Sequence, residues 1–176
     1  MLVTGFSNFG SVVSNPSETL VNLLKLKYAD SIDIHIFKGY KDINTSLENL
    51  LNQTKPKVIV MFGLASRTPF IRLEQTARRP KELAAGDEWH QTTLPLTKLY
   101  ESLTDNDIAA SYSNNAGSYW CNYLFYKVCE LREKDKSSTH GLVHIPSLQT
   151  YKNTYGKELD LLIFGATIVD LLLGQS

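Results

Sequence analysis

The chain has 176 residues, the usual size of one compact domain. Hydrophobic residues make up 43% and charged residues 20% of it, a globular composition that excludes intrinsic disorder. The 18 basic and 18 acidic residues cancel, so nothing in the charge balance points to a nucleic-acid partner. Two cysteines, Cys121 and Cys129, are too few for the disulfide framework of a small secreted domain.

The sequence shows no signal-peptide pattern and no apolar run of the ~20 residues that a membrane span requires. Its most apolar stretch, residues 159–173, is interrupted by Asp160 and Asp170. The low cysteine usage fits a reducing compartment. We therefore expect a cytoplasmic protein that does not enter a membrane.

The first half of the chain alternates predicted strands and helices. Asn15 is a capping residue that precedes Pro16 at the first helical position, and Glu18 follows three residues after the cap, which predicts a helix start. Alternating or continuous apolar residues predict the strands. In order, the elements are a strand at 1–4 that ends at Gly5, a helix from 16 to about 28, a strand at 32–36, a helix that ends before 55, and a strand at 58–62 that ends at Gly63.

The second half of the chain continues the alternation of strands and helices, with one polar stretch after its first strand. Residues 77–93 are polar and predict irregular structure. Apolar residues three and four apart predict helices, and short apolar runs predict strands. The elements are a strand at 70–75, a helix at 96–103, a weak strand at 108–112, a helix from about 116 to 131, a strand at 142–145 and a helix at 159–173.

This alternation predicts an α/β fold, a three-layer α/β/α sandwich with a mainly parallel, twisted central sheet. We find no internal repeat and no linker, so residues 1–176 are expected to form one domain. In such folds the functional residues lie in loops beyond the carboxyl ends of the strands.

Cys121 is the first candidate for catalysis. A loop rich in Asn, Ser and Gly leads into the helix that carries it, and a thiol in the first turns of a helix is favoured as a thiolate nucleophile. The alternative is a small buried hydrophobic residue, which is what most free cysteines are. From position alone this alternative is slightly preferred for Cys121, and it is clearly preferred for Cys129.

His144 and Glu74 are the second and third candidates. His144 lies at the end of an apolar strand, where it can act as the base of a thiol, or equally as a hydrogen-bonded core histidine. Glu74 lies on an otherwise apolar strand and can orient a histidine, although a solvent-facing side chain is the simpler interpretation. His35, His90 and His140 are expected at the surface. No cysteine, histidine or carboxylate group has the spacing of a metal site, and no glycine-rich phosphate loop is present.

Several motifs together resemble the pyroglutamyl peptidase I family of cysteine peptidases. They occur in the family's order and span nearly the whole chain. The cysteine and histidine motifs are the most specific. The matching segments are Thr4-Gly-Phe-Ser-Asn-Phe-Gly10 with Asn15-Pro-Ser17, Gly63-Leu-Ala-Ser-Arg67, Thr93-Leu-Pro95, Ser113-Asn-Asn-Ala-Gly-Ser-Tyr-Trp-Cys-Asn122 and Gly141-Leu-Val-His-Ile-Pro146.

The resemblance implies a function and residue roles. Cys121 would be the nucleophile, His144 its base and later acid, and Glu74 the residue that orients His144. The enzyme would remove the N-terminal pyroglutamyl residue from blocked peptides through a thioester, with no cofactor. The implied lactam-binding residues are Phe6, Phe9, Tyr119 and Trp120, and the implied assembly is a cytoplasmic homo-oligomer, a dimer or tetramer.

Some segments depart from the family pattern. Asn8 stands where the family has Pro, and Leu64 where many members have Gln. Residues 75–81 differ from the family's sequence after its glutamate, so the resemblance assigns no role to Arg78 or Arg79. Two alternative functions follow from such divergence: a relative that binds a small ligand or peptide without cleaving it, and a cysteine amidase that acts on another lactam or N-blocked substrate.

Overall fold

The structure is a computed structural model that describes residues 1–8, 14–135 and 137–174. A six-stranded sheet forms its centre, with the strand order β2-β1-β3-β8-β4-β7. All its neighbouring strands are parallel except β4 and β8. Its strands are β1 (Leu2–Phe6), β2 (Asp33–Phe37), β3 (Val58–Leu64), β4 (Ile71–Glu74), β7 (Ala110–Ser113) and β8 (Thr139–Ile145), and a separate antiparallel pair consists of β5 (Thr76–Arg78) and β6 (Trp89–Gln91).

Helices cover both faces of the sheet. The helices are α1 (Pro16–Tyr28), α2 (Tyr40–Thr54), α3 (Leu96–Asp105), α4 (Trp120–Arg132), α5 (Leu148–Tyr155) and α6 (Leu161–Leu173). Buried residues of α1, α3 and α6 form one apolar core against the sheet, and buried residues of α2 and α4 form the other. The predicted three-layer α/β/α sandwich with a mainly parallel sheet is confirmed. Among the described residues, no helix has the length and apolar character needed to cross a bilayer.

The start of α1 follows its predicted signal. The Asn15 side chain caps the helix by accepting a hydrogen bond from the Ser17 N–H. The predicted end of β1 is wrong, because the strand continues through Gly5 to Phe6. A Cβ on Gly5 would lie 2.8 Å from the Ser17 carbonyl oxygen, so the glycine allows α1 to pack closely on the strand instead of ending it.

Three other sequence predictions also need correction. The segment 77–93, expected to be irregular, contains most of the β5–β6 pair, whose strands are only three residues long and carry no clear apolar alternation. Helix α5 was not predicted, although the Ser147 side chain caps it by accepting from the Thr150 N–H. Helix α4 begins at Trp120 rather than near 116, because Gly117 has a φ of +83° and its N–H bonds to the Asn115 side chain in a turn.

Candidate active site

Cys121 is the second residue of α4 and is half-buried. The N–H groups in the first turn of a helix have no partner within the helix, and they place positive potential beside a side chain in that turn. Cys129 lies two turns further along the same helix, in the apolar core, where burial raises the pKa of its thiol to about 12. The two thiols therefore have very different surroundings.

His144 and Glu74 form a buried hydrogen-bonded pair. The His144 Nδ1–H donates to Glu74 Oε1 over 2.7 Å, and the two residues are only 4% and 0% exposed. Strand β4 pairs with β8 so that Arg72 is opposite His144, which places Glu74 diagonally from His144 on the same face of the sheet. The interpretation of Glu74 as a solvent-facing residue is wrong, because this face of the strand is covered.

Gly63 allows the thiol and the imidazole to meet. It is opposite His144 in the β3–β8 register. A Cβ at Gly63 would lie 2.7 Å from Cys121 Sγ and 3.2 Å from His144 Nε2, so the sulfur and this ring nitrogen both contact the space that a side chain would fill. The sequence prediction that Gly63 ends β3 is wrong, since the strand continues to Leu64.

The charge of His144 depends on its two neighbours. Burial lowers the pKa of His144, but hydrogen bonds to Cys121 and Glu74 raise it and outweigh burial, which leaves the pKa at about 9 instead of 6.5. At neutral pH the ring is therefore an imidazolium beside Cys121. A positive imidazolium favours the nucleophilic thiolate form of an adjacent cysteine.

Arg72 is a member of the site that sequence reasoning missed. Its Nε lies 3.0 Å from Glu74 Oε1, the same oxygen that accepts from His144. Its Nη2 donates to Ser113 Oγ over 2.6 Å and also to the Asn115 carbonyl. Arg72 thus connects the carboxylate to the loop that leads into α4. Its position two residues before Glu74, on the same face of a strand, was the available sequence signal.

A cavity of about 540 Å³ opens over Cys121 and His144. We refer to it as the Cys121 cavity. It is lined by residues 64–68, Arg72, residues 116–119, Cys121 and His144. Tyr119, a predicted substrate-binding residue, stands at its wall and is 75% exposed.

The other predicted lactam-binding residues have different positions. Phe6 is 1% exposed and packs against Phe37 in the core, and Trp120 is half-buried beside Tyr40. Among the described residues, neither is part of the lining of the Cys121 cavity. Phe9 lies outside the described residues. A role of Phe6, Phe9 or Trp120 in holding a lactam ring stays a prediction.

Comparison with known proteins identifies relatives over most of the chain. The sequence model of the pyroglutamyl peptidase family matches residues 79–157. The pyrrolidone-carboxylate peptidase of Fusobacterium nucleatum is 31% identical, with an alignment that covers 96% of this chain and 89% of the relative. That of Thermosipho africanus is 30% identical over 84% of this chain and 82% of the relative. The chain belongs to the pyroglutamyl peptidase family.

Solved structures share the fold. A mutant pyrrolidone carboxyl peptidase from Pyrococcus furiosus superposes with a TM-score of 0.82 at 22% identity, covering 99% of this chain and 98% of that chain. The pyroglutamyl peptidase I from Bacillus amyloliquefaciens superposes with a TM-score of 0.78 at 23% identity, covering 96% and 90%. By family, this chain is a peptidase.

His140 lies apart from this peptidase site. His140 is 5% exposed, so the expectation of a surface position is wrong, and burial is the main cause that lowers its pKa. It lies four residues before His144 on β8, about 13 Å away along the strand. In the described part of the chain, no group of three His, Cys, Asp or Glu side chains is placed to hold a metal ion.

The His144 ring should titrate near pH 9. Because this pKa lies above the 6.5 of the unfolded chain, the imidazolium stabilises the fold fully below pH 6.5, and that contribution is lost as the pH rises through 9. NMR of the histidine ring signals measures the midpoint.

Two variants test whether the Glu74 carboxylate raises the pKa of His144. Glu74→Gln should lower the midpoint, because the neutral amide replaces the carboxylate that accepts from Nδ1. Glu158→Gln, which removes an exposed glutamate bonded to Lys152, should not change it. A wild-type midpoint at or below 6.5 would contradict the imidazolium assignment.

Proposed function

We propose that this chain is a pyroglutamyl peptidase I that removes the N-terminal pyroglutamyl residue from peptides through the triad Cys121, His144 and Glu74. The observation that carries the proposal is the continuous contact from a buried carboxylate through the His144 ring to a thiol at the start of α4, beside an open cavity. An imidazole oriented by a carboxylate next to a thiol is the arrangement that activates a cysteine nucleophile. Membership of the family supplies the substrate class.

The first half of the reaction forms a thioester. The thiol proton is already on Nε2 of the His144 imidazolium, so Sγ of Cys121 attacks the carbonyl carbon of the pyroglutamyl residue as a thiolate. The carbon–nitrogen bond then breaks, His144 gives the proton to the leaving amine, and the pyroglutamyl group remains bonded to sulfur. Throughout, Glu74 Oε1 accepts from Nδ1 and so holds the ring orientation and stabilises the imidazolium.

The second half regenerates the enzyme. Water attacks the thioester carbonyl and transfers a proton to Nε2 of His144. The carbon–sulfur bond breaks and pyroglutamic acid leaves, which returns Sγ to its starting state beside the protonated His144 ring. The reaction balances with water as the one added reactant, so the proposal requires no cofactor.

The cavity wall suits a small neutral ring. Leu64, Ala116 and Tyr119 provide apolar surface close to Cys121, and a lactam needs apolar walls with few polar contacts. We expect Phe6, Phe9 and Trp120 to contribute to ring binding, as the family resemblance implies. The cytoplasmic location and the homo-oligomeric state are likewise proposals that rest on the resemblance.

Replacing triad residues should separate their roles. Cys121→Ala and His144→Ala should each lower kcat for a pyroglutamyl-coumarin amide by at least about 10³-fold, and the double variant should add little, because the two act as a unit. Glu74→Gln should retain more activity, since Glu74 acts through His144. Steady-state kinetics measure the effects, with Cys129→Ala as the matched control that keeps its activity.

The contrary outcomes identify the alternatives. Wild-type protein that binds but does not cleave the amide would favour a diverged binding protein. Activity on another N-blocked amide alone would favour a different cysteine amidase. Near wild-type rates for His144→Ala would show that another group is the base.

Gly63→Ala should inactivate the enzyme without unfolding it. The added Cβ would lie 2.7 Å from Sγ and must displace it from the imidazole, and a displacement of about 1 Å can cost about 10²-fold in rate. The loss of unfolding free energy should stay near 1–3 kcal/mol, as for an extra methyl in a packed core. Kinetics and denaturant unfolding measure both quantities.

Gly174→Ala is the matched control. This glycine is exposed at the end of α6, with a φ of −72° that any residue adopts, so both quantities should stay near their wild-type values. Full activity in Gly63→Ala would show that the close contact at Gly63 is not required for the reaction.

A further inference from the structure

The Cys121 cavity carries basic groups without an acidic counterpart in its lining. Arg67, Arg72 and His144 line it, and none of its described lining residues is an aspartate or glutamate. Glu74, which is 0% exposed and not part of the lining, is one carboxylate against these three basic groups, and Arg72 and His144 both contact it. A substrate that enters this cavity therefore meets a positive potential.

Two of the three basic groups already have a partner. Arg72 and His144 both contact Glu74 Oε1, at 3.0 and 2.7 Å. Arg67 differs, since no ion pair or hydrogen bond joins its guanidinium to any side chain in the described part of the chain. Among the three basic groups that line the Cys121 cavity, Arg67 is therefore the one whose positive charge is not paired with a carboxylate.

The backbone holds Arg67 close to the catalytic histidine. Arg67 lies in the loop between β3 and β4, in a turn closed by a hydrogen bond from the Thr68 N–H to the Ala65 carbonyl. The Ala65 N–H in turn donates to the carbonyl of Ile145, the residue after His144. The loop is thus anchored directly beside the reacting groups.

We propose that Arg67 binds a substrate carboxylate located in the residue that follows the pyroglutamyl group, so that the preferred substrates are pyroglutamyl dipeptides with a free carboxyl end or peptides with an acidic residue there. This inference rests on the proposed function. A guanidinium binds a carboxylate through two parallel hydrogen bonds, and such bonds are stronger than neutral ones. One residue beyond the scissile bond adds only about 3.8 Å of chain, which keeps the carboxylate within the cavity that Arg67 lines.

A second basic region offers the matched control. Arg78, Arg79 and Lys81 line a neighbouring groove of about 770 Å³, which shares residues 116–118 with the Cys121 cavity. Arg79 is bonded to the Gly86 carbonyl, and the Arg78 guanidinium lies over the Trp89 ring. None of these cations is part of the lining of the Cys121 cavity, so a carboxylate next to the scissile bond should not depend on them.

The test compares substrates that differ only in charge. In wild-type protein, kcat/KM for pyroglutamyl-alanine should exceed that for pyroglutamyl-alanine amide by about tenfold or more. Pyroglutamyl-glutamate amide against pyroglutamyl-glutamine amide gives the same comparison for a side-chain carboxylate. The pair that shows the larger ratio identifies the source of the carboxylate. Arg67→Gln should reduce these ratios to about one, Arg67→Lys should leave an intermediate ratio, and Arg79→Gln should retain the wild-type ratio.

The possible failures are distinguishable. If wild-type protein cleaves the charged and neutral members of both pairs equally well, or if Arg67→Gln keeps the wild-type ratio, this inference is wrong while the proposed function stands. If wild-type protein cleaves no pyroglutamyl substrate, the proposed function fails and the inference fails with it. Loss of the ratio in Arg79→Gln instead would transfer the carboxylate site to the neighbouring groove.

Discussion

The site depends on one carboxylate oxygen that serves two cations. Glu74 Oε1 accepts from His144 Nδ1 and also pairs with Arg72 Nε, while Oε2 is buried with no hydrogen-bond partner in the described part of the chain. A fully buried carboxylate is costly unless it is paired, so both partners stabilise it. Through them the oxygen connects β4 with β8 and with the loop that precedes α4. Removing either Arg72 or His144 would leave the buried Glu74 carboxylate with one cationic partner instead of two.

The contact between Glu74 and His144 is possible because β4 runs antiparallel to β8 in an otherwise parallel sheet. Because β4 runs against β8, Arg72 is opposite His144 and Glu74 lies diagonally from it on the same face. On the other side of β8, Gly63 is opposite His144 and leaves room for Sγ of Cys121. Residues of both neighbouring strands therefore contact or make room around His144. The orientation of its ring is set before a substrate binds, and efficient acid–base catalysis requires such a fixed orientation.

Local patterns in the sequence predicted much of this arrangement and missed its long-range part. Apolar runs predicted β3 and β8, and the asparagine-rich loop predicted a thiol at a helix start, because these signals involve neighbours in the chain. The burial of Glu74 and the role of Arg72 depend on strands β4, β7 and β8, which are up to about seventy residues apart, and no single-sequence period reports such pairing. Gly5 and Gly63 suggested strand ends for the same reason, since the packing that requires them comes from α1 and α4.

In the proposed reaction Cys121 carries the acyl group during turnover, so trapping an acyl-enzyme is the decisive measurement. Protein mixed with excess pyroglutamyl substrate and quenched in acid during turnover should show, by intact mass, a fraction heavier by one pyroglutamyl acyl group. Peptide mapping should place this group on Cys121, and the adduct should be absent from Cys121→Ala and retained in Cys129→Ala. An adduct that maps to Cys129, or turnover that persists in Cys121→Ala, would show that Cys121 is not the nucleophile.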